Sequence, residues 1–149
     1  MATTVGTGDD LKTVLRDFIY LERDAIAAYD ATIPRLDRAE HKARVQEFKA
    51  DHERHLRELI EAQTALGGEV PHDTDAKSVL TTGKVALAGI AGESAVLKAM
   101  SSNETDTITA YENGSRNATV PADLRPMMER ALANERRHKD WMDEASRAA

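Results

Sequence analysis

Glu22-Arg23-Asp24-Ala25-Ile26-Ala27-Ala28-Tyr29-Asp30 is echoed later in the chain by Glu104-Thr105-Asp106-Thr107-Ile108-Thr109-Ala110-Tyr111-Glu112. The second copy keeps Glu, Asp, Ile, Ala, Tyr and the final acid in register. Downstream of each copy lies a second matched pair, His52-Glu53-Arg54-His55 against Glu135-Arg136-Arg137-His138. The chain therefore reads as two related helix hairpins. Each offers a carboxylate from its first helix and two ligand-type side chains, three residues apart, from its second. That arrangement suits a metal site.

The periodicity around these stretches is helical. Leu11, Leu15, Phe18, Glu22, Ala25 and Tyr29 recur in alternating steps of four and three, the inner stripe of a bundle helix. Thr7-Gly8-Asp9-Asp10 reads as its start and Pro34 as its end. Asp37 with Glu40 reads as a capping box opening a second helix. Its stripe is His41, Val45, Phe48, His52, His55, Leu59, Ala62 and Leu66, stopped by Gly67-Gly68. A third helix from about Glu93 to Ser115 turns Leu97, Met100, Glu104, Thr107 and Tyr111 inward. Residues 117–120 read as a loop, and Pro121 fits the first position of a fourth helix. That helix carries Leu124, Met128, Ala131, Glu135, His138, Met142 and Ala145 inward.

No strand pattern is present. Residues 69–76 are polar; residues 77–92 are mildly apolar, carry Gly83, Gly89 and Gly92, and fit a short helix across the bundle end. The expectation is an all-α, four-helix bundle with one long crossover between helices 2 and 3. It is a single domain over 1–149, with hairpins at about 9–66 and 93–148 joined at 69–92.

Composition agrees. The chain has 149 residues, 41% hydrophobic, 31% charged and 4% aromatic, enough for one core and biased toward helix formers. A formal charge of -6 argues against nucleic acid as a partner. No apolar run is long enough to span a membrane, and residues 1–10 lack the basic and apolar regions of a signal peptide. The Asn-x-Ser/Thr triplets at Asn103, Asn113 and Asn117 are then chance. The absence of cysteine removes disulfides and thiol chemistry and is compatible with a cytoplasmic location.

Six polar residues interrupt the apolar stripes: Glu22, His52, His55, Glu104, Glu135 and His138. All lie near mid-helix, so in a packed bundle they meet at one level. A buried, unpartnered carboxylate costs several kcal/mol, and three in one layer repel unless protonated or neutralised. One or two divalent cations would resolve the conflict, and an i, i+3 pair can reach the same ion. Taken singly, each has a plainer explanation. An inward His is more often a hydrogen-bonded core residue, and an inward Glu can pair with Arg. Six in two matched copies favour the metal reading. Tyr29 and Tyr111, two turns beyond Glu22 and Glu104, are either core or hydroxyl donors to a ligand. Asp24 and Asp106 fall off the stripe and read as solvated; His41 and His72 read as uninvolved.

These motifs resemble the ferritin-like superfamily, most closely its rubrerythrin-type and small bacterial members. The resemblance runs from Leu11 to about Ala145. Glu22 with Tyr29 and Glu104 with Tyr111 are similar to the family's first- and third-helix motifs, and Glu135-x-x-His138 to its Glu-x-x-His pair. It implies an iron site of one or two ions, with zinc or manganese as other occupants, and ferroxidase, peroxide or O2 chemistry in oxidative stress. A homodimer is a further implied partner state.

Two departures stand out. His52 occupies the place of the family's second Glu, which commonly bridges two metals. A neutral imidazole gives one nitrogen to one metal, so the expectation is fewer than two tightly bound ions, or two of unequal affinity. Three imidazoles also shift preference from manganese toward iron, zinc, copper or nickel. There is no Cys-x-x-Cys module, so turnover would need an external reductant. The alternative is a non-catalytic bundle, a stress or partner-binding protein whose site is vestigial or structural. A His phosphotransfer domain fits poorly because His52 and His55 lie on the apolar stripe. A lipid-binding bundle fits poorly because a lipid-facing stripe has no use for carboxylates.

Overall fold

The computed structural model describes residues 2–72 and 90–148. Among them are four long helices and no strand: α1 (Leu11–Thr32), α2 (Ala39–Ala65), α3 (Glu93–Arg116) and α4 (Arg125–Ala148). α1 packs on α2 and α3 on α4, with further contacts between α1 and α3 and between α2 and α4. This is an all-α four-helix bundle.

The ends of the helices follow from local chemistry. Asp10 caps α1 by accepting from the Thr13 backbone N–H. Pro34 sits in a single 3-10 turn, Ile33–Arg35, that closes α1. α2 begins without a side-chain cap of its own, so the expected Asp37–Glu40 capping box does not form. Glu93 of α3 supplies the acceptor instead, taking the N–H groups of Asp37 and Arg38 at 3.1 and 3.2 Å. At its other end α2 stops as expected: Gly67 adopts φ +71°, and the Gly68 N–H reaches Gln63 O at 3.0 Å. A left-handed residue there favours glycine. Pro121 lies in a turn that precedes α4, and Pro126 is the proline of its first turn.

The same contacts fix the topology. Gln63 near the end of α2 donates to Lys12 O at the start of α1. Glu93, opening α3, lies at the α1–α2 turn. α2 therefore ends and α3 begins at opposite ends of the bundle, as the expected crossover between helices 2 and 3 requires. The short helix expected over 77–92 falls almost wholly outside the described residues.

Two apolar clusters fill the interior. One contains Leu15, Phe18, Ile19, Leu21, Leu59, Tyr111 and Met128. The other contains Tyr29, Leu36, Val45, Phe48, Leu97, Met100 and Met142. Gly114 lets α3 approach closely in the first: a Cβ there would lie 2.9 Å from Phe18 Cζ and 3.0 Å from Met128 Sδ. The expected stripes are buried apart from their ends. Leu66 is 39% exposed while Gln63 is enclosed in its stead, because the Gln63 amide donates to the Lys12 and Glu69 carbonyls. The amides of Asn113 and Asn117 hold the N-terminal segment through the carbonyls of Val5, Gly6 and Gly8.

Candidate metal centre

Between the two apolar clusters lies a polar layer. Glu22 comes from α1, His52 and His55 from α2, Glu104 and Thr107 from α3, and Glu135 and His138 from α4. All are buried. The stripes that bring apolar residues inward carry these seven with them, because i, i+3 and i+4 positions share a face.

The acids and imidazoles interlock. Glu22 lies 2.6 Å from His52 Nδ1 and 2.8 Å from His55 Nδ1 through its two oxygens. His52 Nε2 lies 3.3 Å from both Glu104 Oε1 and Glu135 Oε2. Glu135 also faces His55 Nδ1 at 3.3 Å and His138 Nδ1 at 3.4 Å. Two four-residue groups result, each able to hold a metal ion: Glu22, His52, His55 and Glu135; and His52, Glu104, Glu135 and His138. The six residues expected from the repeat thus converge, and His52 stands at the middle, in both groups.

The surroundings repeat the internal symmetry. Tyr111 O–H donates to Glu22 at 2.8 Å, and Tyr29 O–H donates to Glu104 at 2.6 Å. Each tyrosine thus serves the carboxylate of the other hairpin. Thr107 O–H is placed between Glu104 Oε2 and Glu135 Oε2, at 3.0 and 3.2 Å. Phe48 stacks on the His138 ring with centroids 4.3 Å apart.

Two positioning residues were not found by the stripe argument. His138 Nε2 lies 2.8 Å from Asp51 Oδ2, and His55 Nε2 lies 2.9 Å from Asn134 Oδ1. Asp51 and Asn134 immediately precede His52 and Glu135, so they are aligned in the repeat. An extended comparison of the two copies would have paired them. They also fix which ring nitrogen faces outward as a donor. An ionised carboxylate only accepts, so His138 Nε2 carries the proton toward Asp51. Asn134 Oδ1 also accepts from Arg54 at 3.1 Å, which marks that atom as oxygen and makes His55 Nε2 the donor. Nδ1 of each ring is thereby turned to the carboxylates.

Charge in the layer is self-compensating. Burial opposes ionisation of Glu22, but His52 and His55 overcome it and hold its pKa down to about 2. Burial likewise opposes protonation of His138, yet the bond to Asp51 and the nearby Glu104 and Glu135 lift its pKa to about 10. His55 is lifted to about 10 against burial by Glu22 and Glu135. His52 is raised well above the usual value by Glu135, Glu22 and Glu104 against the same opposition. Glu104 is pulled well below the carboxylate range despite burial, while burial and the Glu104 charge raise Glu135. Without metal, three imidazoliums therefore oppose three carboxyl groups.

This balance is incomplete in two places. Glu135 Oε1 and His138 Nδ1 are buried and make no hydrogen bond with the described residues. Each keeps only ion-pair contacts, the shortest being Oε1 to His55 at 3.3 Å and Nδ1 to Glu135 at 3.4 Å, and both belong to residues of the groups that can hold an ion. A surface recess of about 240 Å³, lined by Arg54, His55, Glu58, Met127, Arg130 and Asn134, reaches the His55–Asn134 edge.

The remaining expectations divide. Asp24 is 5% exposed and Asp106 is half-buried, so neither is a freely solvated acid. His41 is buried 3.1 Å from Glu93, outside the layer, and His72 is exposed. No described helix is long and apolar enough to cross a membrane.

The family described as "Domain of unknown function (DUF2383)" matches residues 10–117. The chain belongs to it. No curated protein and no solved structure matches the chain. The DUF2383 match spans Glu22, His52, His55 and Glu104 and ends before Glu135 and His138, so the fourth helix that completes both groups lies beyond it.

Proposed function

We propose that this DUF2383 protein binds transition-metal ions in the polar layer of a ferritin-like bundle, with Glu22, His52, His55, Glu104, Glu135 and His138 as ligands. Iron is the first candidate occupant, and oxidase or peroxide chemistry is the proposed use. The observation that carries the reading is the convergence of two groups of four buried donor residues, the ligand atoms of each group within 4.8 Å of one another, among them Glu135 and His138, whose Oε1 and Nδ1 make no hydrogen bond. Mixed imidazole–carboxylate ligation suits iron, zinc, copper and nickel better than manganese. The outer partners Asp51 and Asn134 fix ring orientation as the partners of metal-ligating histidines do.

A bound redox metal would supply electron transfer to a small oxidant. The chain's own residues would supply the rest. Tyr29 and Tyr111 hold Glu104 and Glu22 by O–H donation, and burial pushes both phenol pKa values well above the usual range, with the facing carboxylates adding to it. They therefore remain hydrogen-bond donors at neutral pH. The enclosing apolar clusters restrict water, and the recess beside His55 offers access to a small molecule.

The competing reading is a non-catalytic bundle whose polar layer is a structural His–Glu ion network. The near-neutral balance of the metal-free layer favours it. Elemental analysis of protein purified without added metal, under low oxygen, separates the two. Iron or another transition metal bound by the native chain and lost in the Glu135→Ala/His138→Ala double variant supports the proposal. Metal at background level, with no change in thermal stability when Fe(II), Zn(II) or Co(II) is added, overturns it.

A further inference from the structure

We propose that His52 is a bridging ligand: the centre takes two divalent cations, and His52 gives Nδ1 to one and Nε2 to the other as an imidazolate. The inference rests on the metal-site reading above and deepens it.

The three histidines of the layer are not equivalent. His55 and His138 each turn one nitrogen outward to a fixed acceptor, Asn134 and Asp51. That is the pattern of a terminal ligand, whose second nitrogen is held by an outer partner. Among the described residues His52 has no such partner. Its Nδ1 faces Glu22, and its Nε2 faces Glu104 and Glu135. Both nitrogens therefore point at acids of the centre, one toward each side.

This placement leaves few electronic options. A neutral imidazole carries one N–H and one lone pair. Whichever nitrogen lacked the proton would set its lone pair against a carboxylate oxygen. The ring suits its neighbours with a proton on each nitrogen, with a cation on one and an N–H donated to the acid at the other, or with a cation on each. Because His52 belongs to both four-residue groups, filling both groups puts a cation at each nitrogen. Two cations would replace two protons. Two N–H bonds break, two N–metal bonds form, and both protons pass to solvent; nothing is oxidised or reduced.

The orphaned atoms fall one to each side. Glu135 Oε1 lies toward His55 in the Glu22 group, and His138 Nδ1 belongs to the Glu104 group. Each side thus has one buried ligand atom that makes no hydrogen bond and keeps only ion-pair contacts, the shortest being Glu135 Oε1 to His55 at 3.3 Å and His138 Nδ1 to Glu135 at 3.4 Å. Charge agrees. The ionised Glu22, Glu104 and Glu135 with an imidazolate balance two divalent cations. In a buried layer, near-neutrality avoids the large cost of uncompensated charge.

The test uses metal alone. The full chain is stripped with chelator and loaded with Cu(II), and in parallel with Co(II). Two ions per chain are expected. An imidazolate couples two Cu(II) spins, so the low-temperature EPR intensity should fall well below the chemically measured copper at full loading. His52→Ala should remove the coupling, and added imidazole should restore it. Two copper ions with full, uncoupled EPR intensity would overturn the bridge. One ion per chain would also overturn it while leaving the metal-site reading intact, whereas no bound ion would remove that reading as well. The native protein decides the coupling, so the proposal stays testable if His52→Ala fails to fold.

Discussion

Asp51→Asn isolates what the outer carboxylate does for His138. The change keeps size and an oxygen acceptor but removes the charge 2.8 Å from Nε2. Two effects follow, and they oppose one another. A carboxylate partner makes the ring a better donor to metal, and losing such a partner typically weakens binding about 10–100-fold, or roughly 1.4–2.8 kcal/mol. The same carboxylate also holds a proton on the empty ring, whose pKa is about 10. At pH 7 metal must displace that proton, three units below its pKa, a competition of order 4 kcal/mol. Removing Asp51 relieves part of it. The variant should therefore resemble the native chain near pH 7 and fall progressively behind as pH rises toward 9, because its affinity gains less from each unit. Competition against a chromophoric chelator, with Zn(II) or Co(II) across pH 6.5–9, reads this directly. Asp51 also pairs with Arg54 and Arg137, but those arginines are largely exposed and such pairs contribute little. Parallel pH profiles for the two proteins would refute the reasoning, since Asp51 would then neither hold the proton nor strengthen the ligand. Asn134→Asp is the converse at His55: it should raise that ring's pKa above its value of about 10 and carry the rise of affinity with pH further beyond 9.

Three other outcomes are expected. The metal-free protein should lose stability on both sides of a plateau. His55 and His138 have folded pKa values raised to about 10 from 6.5, so their contribution is complete below about pH 6.5 and is lost as pH rises through 10. Glu22 is lowered to about 2 from 4.5, so its contribution is present above about pH 4.5 and fades toward 2. Thermal melts in chelator that rise steadily from pH 6.5 to 10 would contradict this. Tyr29→Phe and Tyr111→Phe should each cost about 1.5–3 kcal/mol in urea unfolding of the metal-free chain, the scale of a hydrogen bond to a charged group; no loss in either would show that the tyrosines only fill space. Glu93→Ala should cost about 1–2 kcal/mol by uncapping α2 from outside, seen as a lower Tm with unchanged metal stoichiometry.

The repeat and the stripes made much of this protein legible in one dimension. Residues spaced by three and four share a helix face whatever the rest of the chain does. Glu22, His52, His55, Glu104, Glu135 and His138 could therefore be assigned to one interior layer without coordinates. The glycine stop after α2 and the Asp10 cap were legible for the same reason, since each is a contact among residues close in sequence. Four features needed the tertiary structure. The α2 cap comes from Glu93, more than fifty residues away, and no local pattern encodes it. Asp51 lies off the stripe, yet the approach of α4 brings the His138 ring to it. Asn134 gains its meaning only beside His55. His52 reads in sequence as a one-metal substitute for a bridging acid, because sequence assigns an imidazole to a layer without orienting its two nitrogens. Orientation depends on which helices approach from each side. In the folded bundle α1 presents Glu22 to Nδ1, while α3 and α4 present Glu104 and Glu135 to Nε2. Helical periodicity alone determines who enters the layer; the packing of helices distant in sequence decides which atom faces which.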